Sequence, residues 1–270
     1  MEILFLIHCQ IICHKIFYSN FGNALKEGIV EDMPNKERLA DLLRFTSTKS
    51  ENHEPTVSFS DYLNRMLPEQ DKIYYITAES YALAKNSPYL EVFNRNNIEV
   101  LLLTDRIDEW WLSYFTEYQG KSLQAITKGD IDLSKLTKEE PNSKFEETDD
   151  LKILLEKMKN ILGDKISAIN LSKRLTDSPV CLVTNQNDLS FSMQKMMQSL
   201  GRDLPKTKPI LEINPEHNLI KKLVMIKDNE NALKDWTELL FEQGSLIAGN
   251  EIEDIIGFTK RLNRLLEQNS

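Results

Sequence analysis

Apolar residues follow two spacings along this chain, and each spacing predicts a different kind of element. The runs 72–77 and 98–103 are rich in β-branched and aromatic residues and nearly continuous in apolar ones, which is typical of strands covered on both faces of a parallel sheet. The residues between them predict two helices, 80–86 and 87–95, divided at Pro88, which suits the first turn of a new helix. Strand, helix and strand in this order predict a βαβ unit with parallel strands.

Helical spacing continues on either side of this unit. Residues 35–45 predict a short amphipathic helix, and residues 106–118 predict another after the second strand. A further helix is expected to begin at Ser58, because its hydroxyl can accept a backbone N–H while Asp61 lies favourably in the first turn.

An acidic stretch separates this half from the next. Residues 130–150 hold eight acidic and three basic residues with few apolar anchors, which predicts a linker. The elements predicted after it are, in order, a helix at 151–162, strands at 166–171 and 180–184, a helix at 188–200, a strand at 210–213 and two long helices at about 230–243 and 251–268.

These elements predict an α/β protein, α+β overall, of two domains. The first would be an α/β/α unit with a βαβ core, and the second a mixed α/β domain that ends in a pair of helices. A length of 270 residues fits two domains. The predicted divisions are an apolar start at 1–14, a first domain at 15–129, the linker at 130–150 and a second domain at 151–270.

Composition narrows the possible partners. A net charge of −9 and a pI near 5.1 argue against nucleic acid, because phosphate binding needs concentrated Lys and Arg, and against an anionic membrane surface. The apolar start lacks a basic region and a cleavage site and is too short to span a bilayer, so no signal peptide is expected. Three cysteines give no disulfide framework, which indicates a reducing, cytoplasmic compartment.

Candidate chemistry is sparse. His8, Cys9, Cys13 and His14 lie close in sequence, but no second ligand pair follows at zinc spacing, so buried thiols are the interpretation we favour and no metal is predicted. Neither a glycine-rich phosphate loop nor a nucleophile motif occurs, and we do not predict an enzyme. The alternative, a small α/β enzyme, would have its site at 104–106, at the carboxyl edge of the strands.

Five segments carry a resemblance to a known family. They are Leu101–Trp111, Phe115–Gly120, Ser172–Pro179, Glu212–His217 and the strand Lys72–Ala78. In order and without large gaps, from about Phe17 to the end, the chain resembles the ninety-kilodalton heat-shock chaperones, and above all their bacterial branch. Residues 1–14 do not show the resemblance.

The resemblance assigns each half of the chain to a different domain of the family. Residues 15–129 resemble the C-terminal part of the family's middle domain, and 151–270 resemble its dimerisation domain. The family's nucleotide-binding domain has no counterpart here, so ATP and Mg²⁺, which the intact family uses, are not expected as cofactors. The implied function is a stress-response chaperone fragment that binds unfolded or partly folded client proteins, forms a homodimer and could meet co-chaperones. A truncated or frameshifted gene product without independent activity is the alternative, and the unmatched start supports it.

Two stretches are candidate client-binding sites. Trp110 and Trp111 project about 100° apart on a helix, so one of them can escape the core, although packing of both remains open. The resemblance implies client contacts at Glu109, Trp110 and Ser113. On the helix 188–200, apolar residues at helical spacing are more often core than binding surface, but methionine suits varied partners. There the resemblance implies client contacts at four positions, Leu189, Met193, Met196 and Met197.

The two closing helices each carry a wide apolar stripe that needs a partner face. A four-helix bundle across a two-fold axis would cover both stripes, and a hairpin packed on its own domain is the alternative. The predicted dimer residues are Leu233, Trp236, Leu240, Ile255, Phe258, Leu262, Leu265 and Leu266.

A last group of charged residues lies within the segment Ser172–Pro179. Lys173 and Arg174 together with Asp177 could mark an anion site, but a solvated face or a structural ion pair is the more typical role of such a group. His217 is expected at the start of a helix.

Overall fold

The computed structural model describes residues 2–137, 148–199, 201–202 and 207–267, with side chains from residue 16 onward. The chain forms two compact units. The first consists of Met1–Lys85 and Asn97–Ala125, and the second of Asn86–Asn96 and Ile126–Ser270. Helices and two mixed sheets confirm the predicted α/β class.

Helices account for much of both units. In chain order they are α1 (Glu2–Glu31), α2 (Lys36–Leu42), α3 (Phe59–Arg65), α4 (Tyr81–Lys85), α5 (Glu91–Arg95), α6 (Asp108–Trp111), α7 (Asp149–Leu162), α8 (Phe191–Ser199), α9 (Asn218–Met225), α10 (Glu230–Ile247) and α11 (Ile255–Glu267). Short 3₁₀ turns precede α2 and α5 and follow α7, at Met33–Asn35, Pro88–Leu90 and Gly163–Lys165.

The first unit contains a five-stranded sheet. Its strands are β1 (Thr46–Ser47), β2 (Lys72–Thr77), β3 (Leu101–Leu103), β4 (Glu117–Tyr118) and β5 (Lys121–Ala125). Their order in the sheet is β1-β3-β2-β5-β4. β2 pairs in parallel with β3, with Tyr75 opposite Leu101, which confirms the βαβ prediction.

Aromatic side chains fill the core of the first unit. The ring of Phe59 lies 4.9 Å from that of Tyr118 and 4.7 Å from that of Phe45, and Trp111 and Phe115 complete the cluster with no exposed surface. Such pairs add about 0.5–1.5 kcal/mol each beyond their buried area. The cluster therefore joins α3 to the segment after α6.

The prediction of one long helix over 106–118 is wrong. Only α6 is α-helical there, and the chain then turns into the β4–β5 hairpin. Gln119 and Gly120, at the turn, both have positive φ, 48° and 76°, as a two-residue hairpin turn requires. The apolar residues that suggested a continuing helical stripe are instead core residues of a turn and a strand.

The predicted helix start at Ser58 is confirmed. The hydroxyl of Ser58 accepts a hydrogen bond from the N–H of Asp61, and the Asp61 carboxylate accepts one from the N–H of Ser58. This reciprocal capping satisfies two backbone donors that the first turn would otherwise leave unpaired.

The apolar start of the chain is part of α1, a helix of 30 residues. The side chains of residues 2–15 lie outside the described part, so the interpretation of Cys9 and Cys13 as buried thiols stays a prediction. Across the described ranges, no helix combines the length and apolar character that crossing a membrane requires.

The second unit is built on a three-stranded sheet of β6 (Ala168–Leu171), β7 (Val180–Val183) and β8 (Ile210–Ile213), in the order β6-β8-β7. α7 and α10 cover this sheet, with Leu154, Leu211 and Leu240 in the shared core. Gly244 lets α10 approach closely, because a side chain there would begin 3.3 Å from Leu182. The predicted strands and the order of helices in this half are confirmed, with ends shifted by a few residues.

Candidate functional site

The short helix α6 presents one tryptophan to the core and one outward. Trp111 is fully buried, whereas Trp110 is half-buried and its ring meets that of Tyr114 edge-on, with centroids 6.2 Å apart. Tyr114 is 48% exposed. The two tryptophans therefore do not share one role, and packing of both in the core is excluded.

A buried carboxylate fixes α6 to α1. Asp108, which is 1% exposed, accepts hydrogen bonds from Trp111 Nε1 and from the N–H of Asp105, both at 2.9 Å. Lys26 Nζ lies 2.6 Å from the carboxylates of both Asp105 and Asp108. Burial would lower the pKa of Lys26, but Asp108, Tyr18 and Asp105 outweigh it and keep the pKa above its usual value. Burial raises the pKa of Asp108, against the opposing effect of Lys26.

The other two residues predicted with Trp110 lie on the same segment. Glu109 accepts a hydrogen bond from Thr77 Oγ1 at 2.5 Å, which links α6 to the end of β2. Ser113 is exposed, and its hydroxyl donates to the carbonyls of Glu109 and Trp110. The structure thus brings Glu109, Trp110 and Ser113 together. Tyr114 joins them and was missed, although its spacing of four residues from Trp110 was the available signal.

Residues 104–106, where the alternative enzyme would have its site, contribute to an ion pair that stabilises the first unit. Asp105 is paired with Lys26. In the part of the chain that the structure describes, no three histidine, cysteine or acidic side chains are grouped as a metal site would need.

The predicted client-binding residues on and before α8 are only partly exposed. α8 begins at Phe191, three residues later than predicted, so Leu189 lies before the helix and is 39% exposed. Met196 and Met197 are half-buried. Met193 is 6% exposed and packs inward, so it does not belong to an open face. Three of the four predicted residues therefore remain available to a partner.

The closing helices α10 and α11 use their apolar residues in opposite ways. Leu233 and Leu240 lie in the core of their own unit, and Trp236 packs against that core beneath Lys222 Nζ, 5.8 Å from its ring centre. Leu265 is also buried. The stripe of α10 is therefore covered within the chain, as the hairpin alternative requires for that helix.

α11 leaves three of its large apolar residues exposed. Ile255, Ile256 and Leu266 are 66%, 70% and 60% exposed, while Phe258 and Leu262 are half-buried. Isoleucine and leucine so exposed on one helix indicate a face that another molecule covers.

Charged residues hold α11 against α10. Arg261 pairs with Glu238 at 3.0 Å and with Glu242, and Arg264 pairs with Asp235 at 2.8 Å. Burial raises the pKa of Glu242, against the opposing effect of Arg261. Arg261 and Arg264 therefore hold α11 against α10, and Leu265 is buried, while Ile255, Ile256 and Leu266 stay exposed.

The segment Ser172–Pro179 contains a buried ion pair. Arg174, 1% exposed, donates from Nε and Nη2 to the carboxylate of Glu212 at 2.9 and 2.8 Å, and also to the carbonyls of Ile126 and Gly129. Lys173 pairs with Asp130 at the surface. The interpretation of a structural ion pair is confirmed. His217 caps the start of α9, as expected.

Comparison with known proteins assigns the family. The description "Hsp90 protein" matches residues 4–270. The chain is 50% identical over 256 residues to "Chaperone protein HtpG" of Nitrosomonas europaea and 48% identical over 253 residues to that of Burkholderia ambifaria, covering in each case 94% of this chain and 40% of the relative. A third, from Dechloromonas aromatica, is 47% identical over 251 residues, which is 93% of this chain and 39% of the relative.

Two points about the extent of the match bear on the earlier predictions. The match begins at residue 4, so it includes most of segment 1–14, which the predicted divisions set apart from the rest. The chain spans about 40% of the length of the curated relatives it matches. With the match running through both units, the chain belongs to the Hsp90 protein family.

Proposed function

We propose that this chain binds non-native client proteins and forms a homodimer, as a cytoplasmic chaperone. Residues 15–129 would correspond to the end of a middle domain and 151–270 to a dimerisation domain, on either side of a linker at 130–150. Co-chaperones would be further partners of this chain, whereas ATP-dependent cycling is what the resemblance implies for the intact family. One observation carries the proposal: Arg261 and the buried Leu265 hold α11 to its own unit, yet Ile255, Ile256 and Leu266 of the same helix stay exposed.

The dimer would form around α11. Ile255, Ile256 and Leu266 would contact the second copy, joined by the half-buried Phe258 and Leu262. Full burial of each such side chain is worth roughly 1.5–3 kcal/mol, and the loss of rigid-body freedom offsets part of the sum. Leu233, Leu240 and Leu265, which already pack within the chain, would support this face from behind.

Client binding would use two apolar surfaces, one on each unit. On the first unit, Trp110 and Tyr114 offer aromatic area with polar tips, the composition of binding hot spots, beside Glu109 and Ser113. On the second unit, the surface consists of Leu189, Met196 and Met197, whose flexible side chains can adapt to different partners.

Sedimentation velocity tests the dimer. Ile256→Glu combined with Leu266→Glu should turn a dimer into a monomer, because two charges would be buried in an apolar interface. Met225→Glu is the matched control, since Met225 is 83% exposed on α9 of the same unit. A wild-type chain that stays monomeric across the micromolar range would contradict the proposal.

Light scattering by a heat-denatured model client tests the holding activity. Trp110→Ala with Tyr114→Ala, and separately Met196→Ser with Met197→Ser, should each weaken the suppression of aggregation. Leu83→Ala, at an exposed apolar site on α4, should leave it unchanged. Equal suppression by all variants would remove these surfaces from the proposal.

A further inference from the structure

Three successive backbone N–H groups in the second unit converge on one carboxylate. The N–H groups of Thr176 and Asp177 donate to Glu91 Oε2 at 2.7 and 2.8 Å. The N–H of Ser178 donates to both Glu91 oxygens, at 3.1 and 3.2 Å, and the Ser178 hydroxyl donates to Oε1 at 2.5 Å. Consecutive N–H groups that point into one concavity are a recurrent way to bind oxyanions.

The loop that supplies these donors is held by hydrogen bonds of the residues that precede them, Ser172 and Arg174. Arg174, in the same segment, is locked to Glu212, and the Ser172 hydroxyl donates to that carboxylate at 2.8 Å. Ser172 Oγ also accepts the N–H groups of Arg174 and Leu175. These bonds hold the residues that lead directly into the donors at 176–178 without using Glu91.

Glu91 belongs to a segment that is remote in sequence from this loop. The segment Asn86–Asn96 lies between β2 and β3 along the chain, yet it is part of the second unit. Besides the Glu91 carboxylate, the N–H of Val92 donates to the carbonyl of Arg174 at 3.2 Å and the Tyr89 hydroxyl donates to that of Leu182. Of these contacts, the Glu91 carboxylate makes the most hydrogen bonds and is the one that carries charge, and charge-assisted bonds are about twice as strong as neutral ones.

We infer that Thr176–Ser178 is an oxyanion-binding site with a preference for carboxylates, occupied by Glu91 of the same chain, and that this occupancy latches segment 86–96 onto the second unit. A carboxylate fits because one oxygen receives the donors of 176 and 177 while the other receives the Ser178 hydroxyl. The proposed site differs from the anion site that Lys173, Arg174 and Asp177 suggested in the sequence, because backbone donors form it and Lys173 and Arg174 are engaged in ion pairs.

Hydrogen exchange read by mass spectrometry tests the latch in the full chain. Glu91→Ala should speed exchange by at least about tenfold over 88–96 and 176–178, because the amides of 176–178 lose their shared acceptor and segment 88–96 loses its anchor. Ser178→Ala, which keeps the N–H donors, should produce a smaller increase. Glu156→Gln, at an exposed carboxylate on α7, is the control and should change neither region.

Chemical rescue separates a binding site from a general loosening. Sodium formate should restore protection in Glu91→Ala in a saturable manner, and sodium chloride at equal ionic strength should not. Rescue by phosphate but not by formate would overturn the carboxylate preference, and equal effects of chloride and formate would overturn the site.

A conservative variant covers the case in which alanine unfolds the unit. Glu91→Gln keeps the volume but points an amide N–H₂ toward N–H donors. Faster exchange confined to 86–96 and 174–182 would support the latch. Unchanged exchange, or loss of protection spread over β6, β7 and β8, would contradict it.

Discussion

Asp108 shows how one buried side chain can organise a surface that it does not reach. It accepts hydrogen bonds from the indole of Trp111 and the N–H of Asp105 and pairs with Lys26. Trp110 projects outward from the turn that these bonds hold. The presentation of Trp110 therefore depends on a lysine about eighty residues earlier in the chain.

The first prediction concerns that lysine. Lys26→Met should destabilise the first unit by about 3–5 kcal/mol, because it leaves the Asp108 carboxylate buried without its countercharge. Urea denaturation followed by tryptophan fluorescence measures the change. Lys49→Met, at an exposed lysine of the same unit, should shift the midpoint little, and an equal shift for both variants would refute the role of the buried pair.

A second prediction concerns alkaline pH. The Tyr118 hydroxyl donates to Asp41 Oδ1 at 2.5 Å, and burial, followed by that hydrogen bond, raises its pKa to about 12. In the unfolded chain the value is about 10. The folded state thus favours the protonated phenol, and this contribution is complete below about pH 10 and lost as pH rises toward 12.

Urea midpoints measured between neutral and alkaline pH test this dependence. Tyr118→Phe should make the alkaline decline shallower, and Tyr114→Phe, at an exposed tyrosine, should leave the slope of the wild type. A decline that Tyr118→Phe does not alter would show that other groups account for it.

Residue roles were predictable only where local spacing decides them. The cap at Ser58 follows from adjacent positions. The choice between Trp110 and Trp111 does not, because it depends on Asp108 and Lys26, which meet only in the folded unit. Burial of Met193, Leu233 and Leu240 was equally undecidable, since a periodic stripe has the same appearance whether its own chain or a partner covers it.

At the scale of elements, α11 depends on charge for its position and on apolar residues for its proposed partner. A third prediction follows from this separation. Arg261→Met should weaken the proposed dimer, because α11 loses both Glu238 and Glu242 although Arg261 is not among the outward apolar residues. Sedimentation equilibrium measures the dissociation constant.

A charge exchange provides the control for that variant. Arg261→Glu combined with Glu238→Arg and Glu242→Arg should recover part of the lost affinity, since the pairing is restored with its direction reversed. If Arg261→Met leaves a wild-type dimer intact, the ion pairs do not position α11. If the wild type itself is monomeric, the proposed dimer fails instead.

Element boundaries were predictable where a strong start or stop lies in the sequence. β8 occupies Ile210–Ile213 as predicted, and His217 marks the start of α9. The helix predicted over 106–118 failed because Phe115 and Tyr118 keep helical spacing by chance while serving a hairpin core. The glycine at 120 did not separate the two possibilities, because a glycine just after residue 118 also suits the end of a helix.

At the scale of the whole molecule, the described residues include one core cluster around Trp111 in the first unit and another around Leu240 in the second. A fourth prediction tests their independence. Leu240→Ala should cost the second unit about 2–5 kcal/mol through the cavity that it leaves. Hydrogen exchange should then accelerate in β7 and β8 while β2 and β3 keep their protection.

The reciprocal variant completes the test. Ile73→Ala, in the core of the first unit, should accelerate exchange in β2 and β3 and spare β7 and β8. Loss of protection throughout the chain in either variant would show that the two units unfold as one.

The contact between Glu91 and Thr176–Ser178 also has a consequence for folding during protein synthesis. The donors that hold segment 86–96 follow Glu91 by 85 to 87 residues, and the acceptor for Tyr89 follows by 93. At a synthesis rate of 5–20 residues per second, the segment waits roughly 4–19 s for its partners after it is made. During that interval β2 and β3 can already pair, while the Glu91 carboxylate and the Tyr89 hydroxyl still lack their partners in the second unit. A newly made chain therefore carries, for some seconds, a segment whose anchoring residues have not yet been synthesised.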